Sequence, residues 1–306
     1  MIISASRRTD LPAYYSEWFM NRLRAGSVLT RNPMNHAQIS RIQLSPELVD
    51  CIAFWTKDPS PMLEQLPLLD QMGYRYYFQF TLTPYDEDLE PGLRNKKDIL
   101  KTFQRLSDRV GRERVLWRYD PIIINDRYRV EFHLDKINDL CSSLSGYTEV
   151  CTISFVDLYH KLHPAKGLPF REATEEEMAC LAKAFSEAGS RYGLSVRACC
   201  EKADLSSYGI RPASCIDQRT IEKVCGYSIT GRRDSNQRSG CGCIQSIDIG
   251  SYNTCPSGCR YCYANAGIAS ARRNRDHHDP ASELLLGVPG EGEIIRDRVV
   301  KSLRCR

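Results

Sequence analysis

The chain has 306 residues, 42% hydrophobic and 26% charged, with 42 Lys and Arg against 38 Asp and Glu for a formal net charge of +4. That length and apolar content can bury one large core or two small ones, while the near-neutral balance and a mean hydropathy of -0.42 exclude a disordered or strongly nucleic-acid-seeking chain. No apolar run approaches the roughly 20 residues of a membrane span, and the opening M-I-I-S-A-S-R-R-T-D has no apolar stretch before its first charges, so a cytoplasmic protein without a membrane partner is expected.

Ile2–Ser6 is a short β-branched run that ends at Arg7, Arg8, Thr9 and Asp10, and the next segment spaces Trp18, Phe19, Arg22 and Leu23 as a helix closed by Gly26. Ser27–Thr30 and Cys51–Trp55 read as the second and third strands, each running into a polar stretch with proline, at Asn32-Pro33 and at Lys57-Asp58-Pro59. A helix with Met62, Leu63, Leu66 and Leu69 on one side ends at Gly73, before the aromatic strand Tyr76–Phe80 and its polar finish at Thr81 and Thr83. Asn95 can cap a helix bearing Ile99, Phe103, Leu106 and Val110, and Val115–Tyr119 gives a fifth strand ending Arg118-Tyr119-Asp120-Pro121. Asp135–Leu144 is helical, and Glu149–Val156 is a sixth strand ending at Asp157. Thr174 and Glu177 form a capping box ahead of Met178, Leu181, Ala182 and Phe185. Leu194–Ala198 is a seventh strand leading to Cys199, Cys200 and Glu201, and Ser246–Tyr252 an eighth leading into a cysteine loop.

Eight strands separated mostly by helices predict a parallel sheet, and eight is the number that closes a (β/α)8 TIM-type barrel; an open doubly wound sheet is the alternative. The barrel is favoured because polar groups recur just past the strand ends, at Arg7, Asn32, Lys57, Thr83, Arg118, Asp157, Cys199 and Cys255, where barrel enzymes build their sites. The expected organisation is a barrel over 1–253 and a cluster loop, helix and tail over 254–306 packed on the same domain, with a helix from Ala264 to Arg273 and Leu284–Leu286 on the barrel wall.

Fourteen cysteines without an export signal argue for free thiols or metal ligands rather than disulfides. Cys51, Cys141, Cys151 and Cys180 read as buried, inert thiols, whereas chemistry gathers from Cys199 onward. The loop T-C-P-S-G-C-R-Y-C-Y-A-N sets Cys255, Cys259 and Cys262 where all three sulfurs can face one soft metal and leave a coordination position open. Two readings of that vacancy follow. In one it stays open for a non-protein ligand; in the other Cys241 or Cys243 fills it and makes a structural zinc site. Cys199, Cys215, Cys241 and Cys243 can form a four-cysteine site for a second iron–sulfur cluster, or be ordinary thiols.

A strand followed by C-x-x-x-C-x-x-C with an aromatic before the last cysteine resembles the cluster loop of the radical S-adenosylmethionine (SAM) superfamily, matched here by Cys255, Cys259, Tyr261 and Cys262. F-W-T-K-D-P at Phe54–Pro59 and W-R-Y-D-P at Trp117–Pro121 resemble strand ends of its spore-photoproduct-lyase-like branch. The whole sequence resembles a family of uncharacterised bacterial proteins with a radical-SAM-like cysteine cluster near the C-terminus. The resemblance implies that the three thiolates hold three irons of a [4Fe–4S] cluster, and that SAM chelates the fourth. It also implies a flavodoxin- or ferredoxin-like electron donor and a 5′-deoxyadenosyl radical acting on a small-molecule or nucleic-acid-derived substrate. The superfamily carries this loop after its first strand, so its place after the last strand implies a circularly permuted barrel.

In that setting Arg7, Arg8, Lys57, Arg118 and Arg197 are candidates for holding carboxylate or phosphate groups, with Asp10, Asp120 and Asp157 orienting them and Tyr261 beside the cofactor. Lys57, Arg118, Cys199 and Cys200 are the candidate catalytic residues, either cysteine supplying a thiol hydrogen atom to a product radical. His160, His163, His277 and His278 read as solvated loop histidines, and Arg232, Arg233 and Arg238 as a solvated loop. A non-enzymatic metal-binding barrel and a metal-independent barrel hydrolase are the rival classes.

Overall fold

The computed structural model describes residues 1–157, 171–238 and 240–305. β1 (Ile2–Ala5) is buried at every position, as expected of a parallel strand covered on both faces. Asp10 caps α1 (Leu11–Tyr14) by accepting from Ala13 N at 3.0 Å, and α2 (Ser16–Ala25) buries Trp18, Phe19 and Leu23 before ending on Gly26. Then come β2 (Ser27–Asn32), β3 (Asn35–Gln43), β4 (Cys51–Thr56), α3 (Leu66–Gln71), β5 (Tyr76–Thr81), α4 (Lys96–Val110) and β6 (Val115–Ile122). The second half adds α5 (Val130–Leu144), β7 (Val150–Phe155), α6 (Glu175–Tyr192), β8 (Ser195–Cys199), β9 (Arg211–Ala213), α7 (Gln218–Cys225), β10 (Ile247–Asp248), α8 (Ile268–Asp276) and β11 (Ile294–Asp297).

The architecture is a mixed α/β fold around an eight-stranded parallel sheet in the order β10-β1-β4-β5-β6-β7-β8-β9. Its outer face packs Ile3, Phe54, Phe78, Trp117, Ile153 and Val196 against the helices in one large core. The sheet curls: Tyr77 Oη and Gln79 Nε2 on β5 donate to Cys215 O at 2.7 and 2.9 Å, reaching the chain beyond the far edge strand β9. Ile244 N, just before β10, donates to Ile216 O at 3.1 Å, just after β9. No ladder joins these two edge strands among the described residues.

Two assignments differ from the sequence expectation. Ser27–Thr30 does form a strand, but β2 pairs antiparallel with β3, which pairs in turn with β11, in a separate three-stranded sheet. In the main sheet β1 pairs directly with β4, and the eighth strand is β9 at the far edge, whose Arg211-Pro212-Ala213 is too short and too proline-bearing to signal a strand. The expected strand over Ser246–Tyr252 is only the two-residue β10, and the helix expected from Ala264 starts at Ile268. Leu284 packs on Leu29 and Ile39 of the small sheet, while Leu285 joins the main core. Cys51, Cys141 and Cys151 are buried as expected, whereas Cys180 is exposed. No helix among the described residues is long and apolar enough to cross a membrane.

Candidate functional site

The strand ends open onto a cavity of about 720 Å³ lined by Arg7, Lys57, Arg118, Asp157, Cys199 and Cys255, whereas Asn32, expected beside them, ends β2 of the small sheet, and Thr83 bonds to the buried Glu90 instead. β10 enters beside β1, with Ile3 opposite Ile247 and Ser4 opposite Asp248. Asp248 fixes this join by accepting from Ser4 Oγ at 2.7 Å, Ser6 Oγ at 2.6 Å, Arg7 N at 2.8 Å and Gly250 N at 3.0 Å. The cysteine loop leaves from that point.

Each stretch of the loop is tied to scaffold. Asn253 adopts a left-handed conformation (φ 57°), which asparagine tolerates better than most residues, and its side chain accepts from Ala266 N at 2.6 Å. Tyr15 Oη donates to Thr254 O at 2.6 Å, and Tyr14 Oη lies 2.9 Å from Ser257 Oγ. Gly92 N donates to Ser257 O at 3.0 Å and Arg260 N to Leu89 O at 2.9 Å, binding the loop to the segment between β5 and α4. Gly258 (φ 69°) makes the turn before Cys259, and the Asn265 amide donates to Cys255 O at 2.6 Å.

Cys255, Cys259 and Cys262 all line the cavity, and none is in a disulfide. Burial pushes the Cys255 thiol up to about 11, with the Asp10 charge adding to it. Burial also raises Cys259, opposed by the nearby Lys57 ammonium. Buried thiols held neutral in this way are what a bound cation reverses, since a metal ligates the thiolate. Ala264 N already points at Cys262 Sγ, at 3.3 Å. Among the described residues no three His, Cys, Asp or Glu side chains surround a common point as they stand. Three thiols in one loop are the donor type a soft metal takes, but as they stand their sulfurs do not surround one point.

The basic strand ends are present but engaged. Arg118, 5% exposed, donates to Cys215 Sγ at 3.1 Å and Gln79 Oε1 at 3.3 Å, and pairs with Asp120. The Arg7 guanidinium lies 5.0 Å from the Trp55 ring centroid and reaches Ser246 Oγ at 3.5 Å, while its Nη2 is buried with no partner. Arg8 lies over Tyr252 and reaches Gly250 O at 3.4 Å. Arg232, Arg233 and Arg238 are exposed, as expected of a solvated loop, although Arg238, at the cavity, pairs with Asp157 at 2.5 Å and Arg233 Nε donates to Cys241 O at 2.9 Å. Arg197 is a correction: it lines a different cavity, of about 290 Å³, among residues at the strand starts such as Val115, Val150 and Arg211. Asp10 serves as the α1 cap and accepts from Lys57 N at 2.7 Å. His278 is structural, packing edge-on to Tyr15 with Nδ1 2.8 Å from Leu285 O, and His277 Nδ1 is 2.7 Å from Arg273 O. His160 and His163 lie outside the described residues.

One residue that sequence reasoning missed is Glu90. Its side chain is fully buried, with Lys57 Nζ at 2.7 Å, Thr83 Oγ1 at 2.9 Å, and both Lys96 and the Tyr261 hydroxyl bonded to it. Burial alone would raise the carboxyl, but Lys57 and Lys96 outweigh that and hold it at about 2. Glu90 thus anchors Tyr261, in the middle of the cysteine loop, to the Lys57 strand end. In sequence it belongs to the acidic run Asp86–Glu90, which reads as solvated surface, and only the convergence of four donors on it tells otherwise.

The other thiols group apart from the loop. Cys199 Sγ is 3.4 Å from Cys215 Sγ, and Cys243 and Cys241 lie near enough to interact with Cys215 electrostatically. Cys200 follows in a left-handed conformation (φ 59°) at the cavity wall.

The family model described as Domain of unknown function (DUF1848) matches residues 2–264, which takes in the sheet and the whole cysteine loop. The chain belongs to the DUF1848 family. The match runs through Cys262, so cavity and thiols both lie within the DUF1848 unit. No curated protein matches the chain. A solved structure of a candidate alpha-L-fucosidase from Bacteroides thetaiotaomicron VPI-5482 aligns at 9% identity with a TM-score of 0.27, over 75% of this chain and 83% of that one, too distant to argue from.

Proposed function

We propose that this DUF1848 protein is an iron–sulfur enzyme of the radical SAM type, with Cys255, Cys259 and Cys262 as the ligands of a [4Fe–4S] cluster. The observation that carries the reading is that the three-thiol loop, although last in the chain, opens into one cavity with the ends of β1, β4 and β6. When bound, the cluster would supply the electron for reductive cleavage of SAM, yielding a 5′-deoxyadenosyl radical. In this reading the sheet is a closed, circularly permuted barrel, with β10 taking the place beside β1 from which the loop projects.

The chain's own residues supply the rest. Glu90 and Tyr261 hold the loop against Lys57, so the loop's position is set by a buried ionic group and not by the loop alone. Arg7 Nη2 and Arg8 face the cavity with donors suited to a carboxylate or phosphate of cofactor or substrate. Trp55, Phe155, Tyr252 and Tyr263 add apolar and aromatic surface on which an adenine or other flat group can lie. Cavity volume suits a cofactor together with a small anionic or nucleotide-derived substrate. Electrons would come from a flavodoxin- or ferredoxin-like donor.

The test is anaerobic reconstitution with iron and sulfide, followed by dithionite and SAM. The expected product is 5′-deoxyadenosine from the wild type and none from Cys255→Ala, Cys259→Ala or Cys262→Ala. Failure of a brown, iron-loaded wild type to form it sinks the radical reading.

A further inference from the structure

We infer that Cys199, Cys215, Cys241 and Cys243 form a second, separate metal site that binds a single zinc-class ion through four thiolates. The four come from three places in the chain: the end of β8, the turn after β9, and the approach to β10. All four line the cavity: Cys199 Sγ lies 3.4 Å from Cys215 Sγ, and Cys243 and Cys241 follow near enough to interact with Cys215 electrostatically.

Spacing chooses between kinds of centre. Zinc–sulfur bonds of about 2.3 Å put the sulfurs of one tetrahedral ion about 3.8 Å apart. A cubane instead places each thiolate on a different iron, farther from its neighbours. The 3.4 Å contact therefore matches ligands of one ion. As they stand the sulfurs do not lie around one point.

Charge is the independent observation. Four thiolates around a divalent ion carry two net negative charges, and two guanidinium groups lie near the thiols. Arg118 Nη1 donates to Cys215 Sγ at 3.1 Å, and Arg7 lines the same cavity. Arg118 has Asp120 as a carboxylate partner, but Arg7 Nη2 is buried with no acceptor. Ile216 N adds a backbone donor to Cys243 Sγ at 3.3 Å, the kind of outer contact that orients a thiolate ligand. A guanidinium and a backbone amide donating to these sulfurs suit an anionic centre.

The inference does not depend on the loop thiols, and its test separates the two sites. Full-length protein with Cys255→Ala, Cys259→Ala and Cys262→Ala together, loaded with zinc and passed through gel filtration, should keep one zinc per chain. Loaded with cobalt(II), it should show the intense visible bands of a tetrahedral thiolate site. Adding Cys215→Ser should abolish both. Should that variant fail to fold, alkylation mapping of the wild type decides: Cys199, Cys215, Cys241 and Cys243 should resist the reagent with zinc and react together once a chelator is added. A triple variant that holds no zinc, retention of the metal after Cys215→Ser, or equal alkylation with and without chelator overturns the site. Recovery of Cys199 and Cys215 as a disulfide from protein purified under reducing conditions also overturns it.

Discussion

Glu90→Gln tests whether a buried ionic group organises the cavity. The carboxylate has a side-chain exposure of 0% and four donors, two of them ammonium groups. Glutamine keeps one acceptor oxygen but turns an amide toward a lysine, so Lys57, itself 15% exposed at its side chain, loses its counter-charge. Removing one member of a buried pair costs about 3–5 kcal/mol. Lys96 keeps 28% exposure and can turn to water, which favours the lower end, about 3 kcal/mol. Linkage gives a similar figure independently: displacement of the carboxyl from 4.5 to about 2 corresponds to about 3 kcal/mol. Because the folded value is depressed, the contribution is complete above 4.5 and disappears as pH falls toward 2. Urea unfolding of reduced, metal-free protein should therefore show E90Q less stable by about 3 kcal/mol at neutral pH, against a total of about 5–15 kcal/mol. Between pH 4.5 and 2 the gap from wild type should close. The double variant Lys57→Met/Glu90→Gln should recover part of the loss. A neutral-pH cost below about 1 kcal/mol, the level of an exposed ion pair, refutes the argument.

Gly258→Ala should destabilise the loop by about 2 kcal/mol, mainly through its left-handed backbone, because the 2.4 Å contact of a new Cβ is with the movable tip of Ile268; hydrogen exchange of peptides spanning 254–265 should accelerate while β5 is unchanged. Asp248→Ala removes the acceptor of four hydrogen bonds, three of them joining β10 to β1 and its extension, and should cost about 3 kcal/mol once water replaces part of what is lost; unchanged exchange in both strands would contradict that role. Thr174→Ala should cost about 1 kcal/mol by breaking the α6 capping box, read by thermal unfolding at neutral pH. Glu177, paired with Arg171 and held at about 2, makes the cap's contribution full above 4.5 and fading as pH falls toward 2, so an effect of Thr174→Ala that grows below pH 4 would contradict the assignment.

Periodicity located the main sheet because its strands are buried on both faces, and runs such as Tyr76–Phe80 and Cys51–Trp55 have no other physical use. It failed where burial is one-sided or brief. β2 buries Val28 and Leu29 as a central strand would, yet Leu29 faces Leu284 and Ile39 in the small sheet. β9 is three residues long with two of them exposed, so its role as an edge follows from where β8 leaves room. The cavity's thiols were legible since cysteine is scarce enough for spacing to carry meaning. Glu90 was not, since an acidic surface run and a buried carboxylate look alike until Lys57, Lys96 and Tyr261 are brought to it from 33, 6 and 171 positions away.

Placing the loop at the end of the sheet series also explains why its anchors come from the beginning of the chain. A loop after β10 has β1 and its extension as immediate neighbours. The residues that bind it are accordingly Arg7, whose carbonyl accepts from Tyr263 Oη at 2.8 Å, and Tyr14 and Tyr15 of α1. The segment before α4 closes over the other side through Leu89, Glu90 and Gly92. The loop is thus held between two parts of the chain that are complete long before it in sequence. Its three thiols are therefore carried on a backbone whose position is fixed by the rest of the fold.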